Sequence, residues 1–132
     1  MSVNTSSKSK KKVVPVAIVS VHSTFNNTIV SITDLHGGVI SASSGGAVGF
    51  KNSRKSTAYA GQMAAEKALE EAIVRFGIKT LSIRLKGPGA SHESVVRSVG
   101  VIAQRHQVAV TTIRNVSAVP HNGCRPSKRR RV

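Results

Sequence analysis

From Pro15 onward, apolar and polar residues alternate with a period of two through three runs rich in β-branched side chains: VAIVSVHSTF, NNTIVSITD and GVISAS. Alternation of this kind predicts half-buried strands, and Asn26-Asn27 and His36-Gly37-Gly38, which separate the runs, are hairpin turn chemistry. The first third of the chain therefore reads as a three-stranded antiparallel meander. From Ser56 the period lengthens. Gly61, Ala65, Ala68, Leu69, Ala72 and Phe76 share one helical face, Gln62, Glu66, Lys67, Glu70 and Arg75 lie outside it, and Gly77 is placed as the stop. This predicts a helix over 57–76 whose Gly/Ala face can approach a sheet closely. LSIRL (81–85) alternates as a strand, GPGAS breaks it, Val95, Val99, Ile102 and Ala103 mark a second helix, and VAVTTIRNV closes the series as a last strand.

The order βββαβαβ implies an architecture. A meander pairs locally, whereas each strand-helix-strand crossover needs a parallel neighbour and right-handed passage, which places the later strands beside the first. The expected fold is α/β, a single mixed five-stranded sheet with two helices. That order is also the core of ribonuclease H-like nucleases, whose two-metal chemistry needs several carboxylates converging on one site. Here the first, fourth and fifth strands hold no acid, Asp34 falls near the end of the second, Glu66, Glu70 and Glu71 are on the polar side of the first helix, and Glu93 opens the second. Ser91, His92 and Glu93 are triad residue types, but three consecutive side chains at a helix start diverge. No enzyme and no cofactor are expected.

Charge points to the partner. Of 132 residues, 20 are Lys or Arg and 5 are Asp or Glu, a net of +15, which a compact fold carries best against a polyanion. The excess is concentrated at the ends: Lys8, Lys10, Lys11 and Lys12 give +4, and Arg125, Lys128, Arg129, Arg130 and Arg131 give +5. The expected organisation is a basic N-terminal arm (1–13), one α/β RNA-binding domain (14–119) and a basic C-terminal tail (120–132). The arms hold too little apolar surface to fold alone. A membrane surface fits poorly, since the chain has no Trp and three Phe where an interfacial helix needs an apolar aromatic face. The sequence shows no long apolar run and no signal-peptide pattern, so a soluble chain is expected. Cys124 is the only cysteine, which excludes an internal disulfide, and His121 with Cys124 falls short of a four-ligand zinc set.

Two segments have the composition of phosphate sites. SGGAVGFKNSRKST (44–57) combines Gly45, Gly46 and Gly49 with Lys51, Arg54 and Lys55 just ahead of a helix N-terminus, where backbone N–H groups and the helix dipole favour an anion. An ordinary surface connection has the same composition, and the nucleotide-loop spacing is absent. KGPGAS (86–91) repeats the arrangement before the second helix, where a turn that needs Gly and Pro is an equal reading. The ending PHNGCRPSKRRRV adds a stiff, basic exit from the last strand, suited to following phosphates in folded RNA. Aromatics at 3% argue against a base-stacking platform.

STFNNTIVSITD (23–34), GGAVGFKNSRKST (45–57), AAEKA (64–68), KGPG (86–89) and PHNGCRPSKRRRV (120–132) resemble the small-subunit ribosomal protein eleven family in its bacterial and organellar form, in one register over roughly residues 14–132. The resemblance implies a ribonuclease H-like fold with no catalytic role. It also implies a place on the platform of the small subunit, binding the central domain of its RNA, beside other platform proteins and near the messenger exit path. On the matching motifs, the implied RNA-binding residues are Asn26, Asn27, Lys51, Arg54, Lys55, Lys86, Gly87, His121, Asn122, Arg125, Lys128, Arg129, Arg130 and Arg131. Two stretches depart from the pattern. Asn115-Val116-Ser117-Ala118 stands where the family commonly reads D-V-T-P, and Ala90-Ser91-His92 where a further Gly and a basic residue are usual. These departures favour an organelle, mitochondrion or plastid, over a bacterial cytoplasm. A free architectural nucleic-acid-binding protein would share the charge, and a degenerate nuclease-fold scaffold would share the sheet.

Overall fold

Ala17, Val19, Val21 and Ser23 lie on one side of the first strand and are buried to 1% exposure or less, while His22 between them is exposed, so the alternation read from the sequence separates a core face from an open face. The computed structural model describes residues 13–89 and 91–129; Ala90, Arg130, Arg131 and the predicted N-terminal arm through Lys12 lie outside the described residues. Its strands are β1 (Val16–Ser23), β2 (Thr28–Thr33), β3 (Val39–Ser44), β4 (Thr80–Lys86) and β5 (Ala109–Asn115). Two α-helices follow β3 and β4: α1 (Ala58–Phe76) and α2 (His92–Arg105), with a short 3-10 helix at Asn52–Ser56.

The sheet order is β3-β2-β1-β4-β5. β1, β2 and β3 pair antiparallel, β4 lies parallel to β1, and β5 lies parallel to β4. This is the mixed five-stranded sheet that the crossover rules require. Both crossovers step the same way along the sheet, so right-handed passage puts both helices on one face. α1 buries Ala60, Gly61, Ala64, Ala65, Ala68, Leu69 and Ala72, a surface of small residues in which Leu69 is the one large side chain. α2 adds Val95, Val99, Ile102 and Ala103 beside it. Val30, Ile32, Leu81 and Ile83 meet them from the sheet. Each such fully buried aliphatic side chain stabilises the fold by about 1.5–3 kcal/mol.

Local signals set the helix ends. Thr57 is the N-cap of α1, its Oγ1 accepting from the Ala60 amide at 3.2 Å. Gly77 ends the helix in the left-handed region at φ 62°, its N–H donating to the Ile73 carbonyl. Two boundaries differ from the sequence reading. The first run stops at Ser23 instead of continuing to Phe25, because Thr24 turns the chain: its N–H and Oγ1 both donate to the Asn27 carbonyl, and Oγ1 accepts from the Asn27 amide. Phe25 is thereby left at the turn tip, 75% exposed. The segment 44–57 is not all loop, since Asn52–Ser56 coil into the 3-10 helix that leads into α1.

Candidate nucleic-acid interface

β1, β3, β4 and β5 all run in one direction, so their carboxyl ends lie along one edge of the molecule. Four of the segments singled out in the sequence leave from that edge: the 24–27 turn after β1, the glycine loop after β3, KGPG after β4 and the tail after β5. In open α/β sheets this is the rim where ligands are commonly held.

The rim is tied together by hydroxyls. Ser91 Oγ, at the start of α2, lies 2.8 Å from Ser23 Oγ at the end of β1 and 2.6 Å from Thr28 Oγ1 at the start of β2, and all three residues are at most 1% exposed. Gly61 of α1 packs against them; a Cβ there would come within 2.8 Å of Ser91 Cβ. Buried hydroxyls that satisfy one another hold their elements in one arrangement. This cluster was not anticipated from the sequence.

The turn after β1 presents Asn26 outward, while Asn27 turns its Oδ1 back to accept from the Thr28 amide at 2.8 Å. Gly45 fits beneath it, where a Cβ would meet Asn27 Oδ1 and the Lys55 carbonyl, each at 2.9 Å. The glycine loop and the β1–β2 turn are therefore one packed unit. Lys51 and Arg54 stand exposed on it and Lys55 is half-buried. Val48, Gly49, Phe50, Lys51, Asn52 and Arg54 line a shallow depression of about 530 Å³. Phe50 meets Tyr59 edge to face, ring centres 5.7 Å apart, and so braces the loop on the first turn of α1.

At the end of β4, Lys86 projects from the sheet and is exposed. Gly87 donates its N–H to Ser117 Oγ at 3.0 Å, and Gly89 donates its own to the Ser23 carbonyl at 2.9 Å. Those amides are engaged within the protein, and the Lys86 side chain is what the loop offers to solvent. Ser91, His92 and Glu93 do diverge: Ser91 joins the hydroxyl cluster, the His92 ring approaches the Lys86 carbonyl at 3.2 Å, and Glu93 pairs with Arg97.

The tail begins under restraint and then separates from the body. The Val116 amide donates to the Leu85 carbonyl, and the Ser117 amide to Asn115 Oδ1 at 3.0 Å. In this departure from the family pattern, Asn115 still supplies a side-chain oxygen and Ser117 a hydroxyl, so both hydrogen bonds are made. From Ala118 through Arg129 every residue is exposed, including His121, Asn122, Arg125, Lys128 and Arg129. Asn122 has φ 56° and precedes Gly123, which has no side chain of its own to hinder attack of its amide nitrogen on the Asn122 side chain. On ageing of the free protein, Asn122 should deamidate ahead of Asn26 and Asn27, which sit in the hydrogen-bonded turn. Peptide mass mapping gives the order. Equal rates at the three sites would contradict this view of the tail.

Charge divides with the layers. The two helices hold Glu66, Glu70, Glu71 and Glu93 against Lys67, Arg75, Arg97 and Arg105, an even balance with ion pairs Glu71–Arg75 and Glu93–Arg97 within the helices and Glu70–Arg105 between them. The rim holds cations and amides with no carboxylate among the segments described. Such a surface can hold phosphates. The Ribosomal protein S11 family model matches residues 17–131, which takes in the sheet, both helices and the tail through Arg131. With the match extending over nearly the whole chain, and over every segment of the rim, the chain belongs to the ribosomal protein S11 family, structural proteins of the small ribosomal subunit that bind its RNA beside other ribosomal proteins.

Proposed function

We propose that the chain is a platform protein of the small subunit, that it grips the central domain of the subunit RNA with its rim and tail, and that it helps to shape the messenger exit region. The observation that carries this reading is the convergence of four separate segments on one rim, with the tail leaving from it. Asn26, Lys51, Arg54, Lys55 and Lys86 are the rim contacts. His121, Asn122, Arg125, Lys128 and Arg129 continue them along the RNA, with Arg130 and Arg131 beyond. Asn27 and Gly87 act by holding the turn and the KGPG loop in place. Structured RNA is read largely by shape and backbone, which suits a cationic rim. An organellar ribosome is the preferred home, on the two departures from the family pattern.

Co-sedimentation with small subunits at moderate salt, followed by footprinting on a central-domain transcript, is the test. Protection confined to the central domain supports the reading; indiscriminate binding to any duplex DNA or RNA would support a free architectural protein instead. Replacing Lys51, Arg54 and Lys55 together by Gln should weaken RNA binding and leave stability within about 1 kcal/mol, since Lys51 and Arg54 are exposed and none of the three forms an ion pair among the described residues. A melt that collapses in this variant would assign the loop a structural role.

A further inference from the structure

With both helices on one side, the other side of the sheet is open apart from Ile18, which is 7% exposed, and its side chains form rows across the strands. One row runs Ala42, Ser31, Ser20, Arg84, Arg114, a single residue from each of the five strands. A neighbouring row places His22 beside Lys86. Arg84, Arg114, Lys86 and His22 therefore occupy one quadrant, all exposed, and no ion pair among the described residues includes any of them. Like charges directly opposite on adjacent strands are destabilising. The helical layer is neutral and paired, so the repulsion on the open face does not come from a general excess of base.

We propose that this face is a second RNA surface, adjoining the rim at Lys86, that receives the sugar-phosphate backbone of a double-helical segment of the same subunit RNA. The inference rests on the reading of the chain as a protein of that subunit. Charge complementarity selects the occupant: the face presents cations and no acid, and the chain's own unassigned arms carry the same sign as the face. Its remaining groups select a duplex over a single strand. Ser20, Ser31, Ser82 and Thr112 are short hydroxyl donors suited to phosphate and 2′-OH oxygens, and no Phe, Tyr or Trp lies on these rows as a platform for an unpaired base. Five strands spaced by about 4.8 Å make a surface roughly 19 Å across, broad enough to lie along the wide, shallow minor groove of an A-form helix.

The full-length chain with Arg84→Gln and Arg114→Gln should be compared with wild type on a central-domain transcript of the small-subunit RNA, by salt titration and backbone footprinting. Two lost phosphate contacts should lower the slope of log affinity against log salt by about 1.4–1.8. One protected duplex segment should disappear, while the protections removed by the rim triple variant stay. Ser20→Lys, which adds a cation to the same row, should raise the slope by about 0.7–0.9, so that the face is tested in both directions. Unchanged slopes and footprint in both variants, with wild type bound, would overturn the proposal. So would an unchanged RNA slope with loss of a neighbouring ribosomal protein from reconstituted subunits, which would make this a protein-docking face. Failure of wild type itself to bind the transcript would instead overturn the platform reading.

Discussion

Removal of residues 120–132 should leave the sheet folded and take away a large part of the salt sensitivity of RNA binding. The described part of this segment is exposed throughout, and none of its residues belongs to the hydrophobic core. Stability should therefore change by no more than about 1 kcal/mol. The segment carries five of the chain's 20 bases. If all five meet phosphate, the slope of log affinity against log salt falls by roughly 3–5 units, at about 0.7–0.9 per contact. Over a fourfold rise in salt, the truncated chain would then lose about a hundredfold to a thousandfold less affinity than wild type. Filter binding at several salt concentrations measures it. An unchanged slope would mean that the tail is a bystander and that the rim alone holds the RNA.

Gly87→Ala should have the largest effect of any single methyl group added on the rim. Gly87 has φ 98°, outside the range comfortable for residues with a Cβ, and a Cβ built there would overlap the Ser23 carbonyl oxygen. Backbone strain and backbone overlap each contribute about 1–3 kcal/mol, so a loss of roughly 2–6 kcal/mol is expected. Neither contact partner is a flexible side chain that can swing away. Relief would require the end of β4 to withdraw from β1, loosening the hydroxyl cluster at Ser23, Thr28 and Ser91. Urea unfolding gives the magnitude, and a loss below about 1 kcal/mol would show that this loop yields easily.

The sheet order was legible because the period-two runs and the handedness of crossovers leave few alternatives, and α1 was legible because Gly61, Ala65, Ala68 and Ala72 keep helical spacing. Side-chain periodicity says nothing, however, of contacts between distant segments. Ser91 is 68 residues from Ser23 and 63 from Thr28, and three small hydroxyl residues show no sign in the sequence that they will meet. Phe25 was drawn into the first strand by its β propensity, and the hydrogen bonds of Thr24 overrode that preference. The glycine loop was placed correctly by its composition, but the 3-10 helix within it was missed because five residues are too few to show a helical period. The rim gathered from motifs scattered through the chain because parallel strands deliver their carboxyl ends to one edge. Fold topology thus gathers the candidate segments at one edge.

β5 pairs with β4 along one edge, yet all seven of its residues are exposed, with Ile113 at 54% and Val110 at 37%. A strand held almost wholly by backbone hydrogen bonds belongs to the least protected part of a fold, and its amides should exchange with solvent well before those of β1. The tail continues directly from it. An RNA that fixes the tail would also oppose the local opening of β5, so that binding should slow amide exchange across that strand.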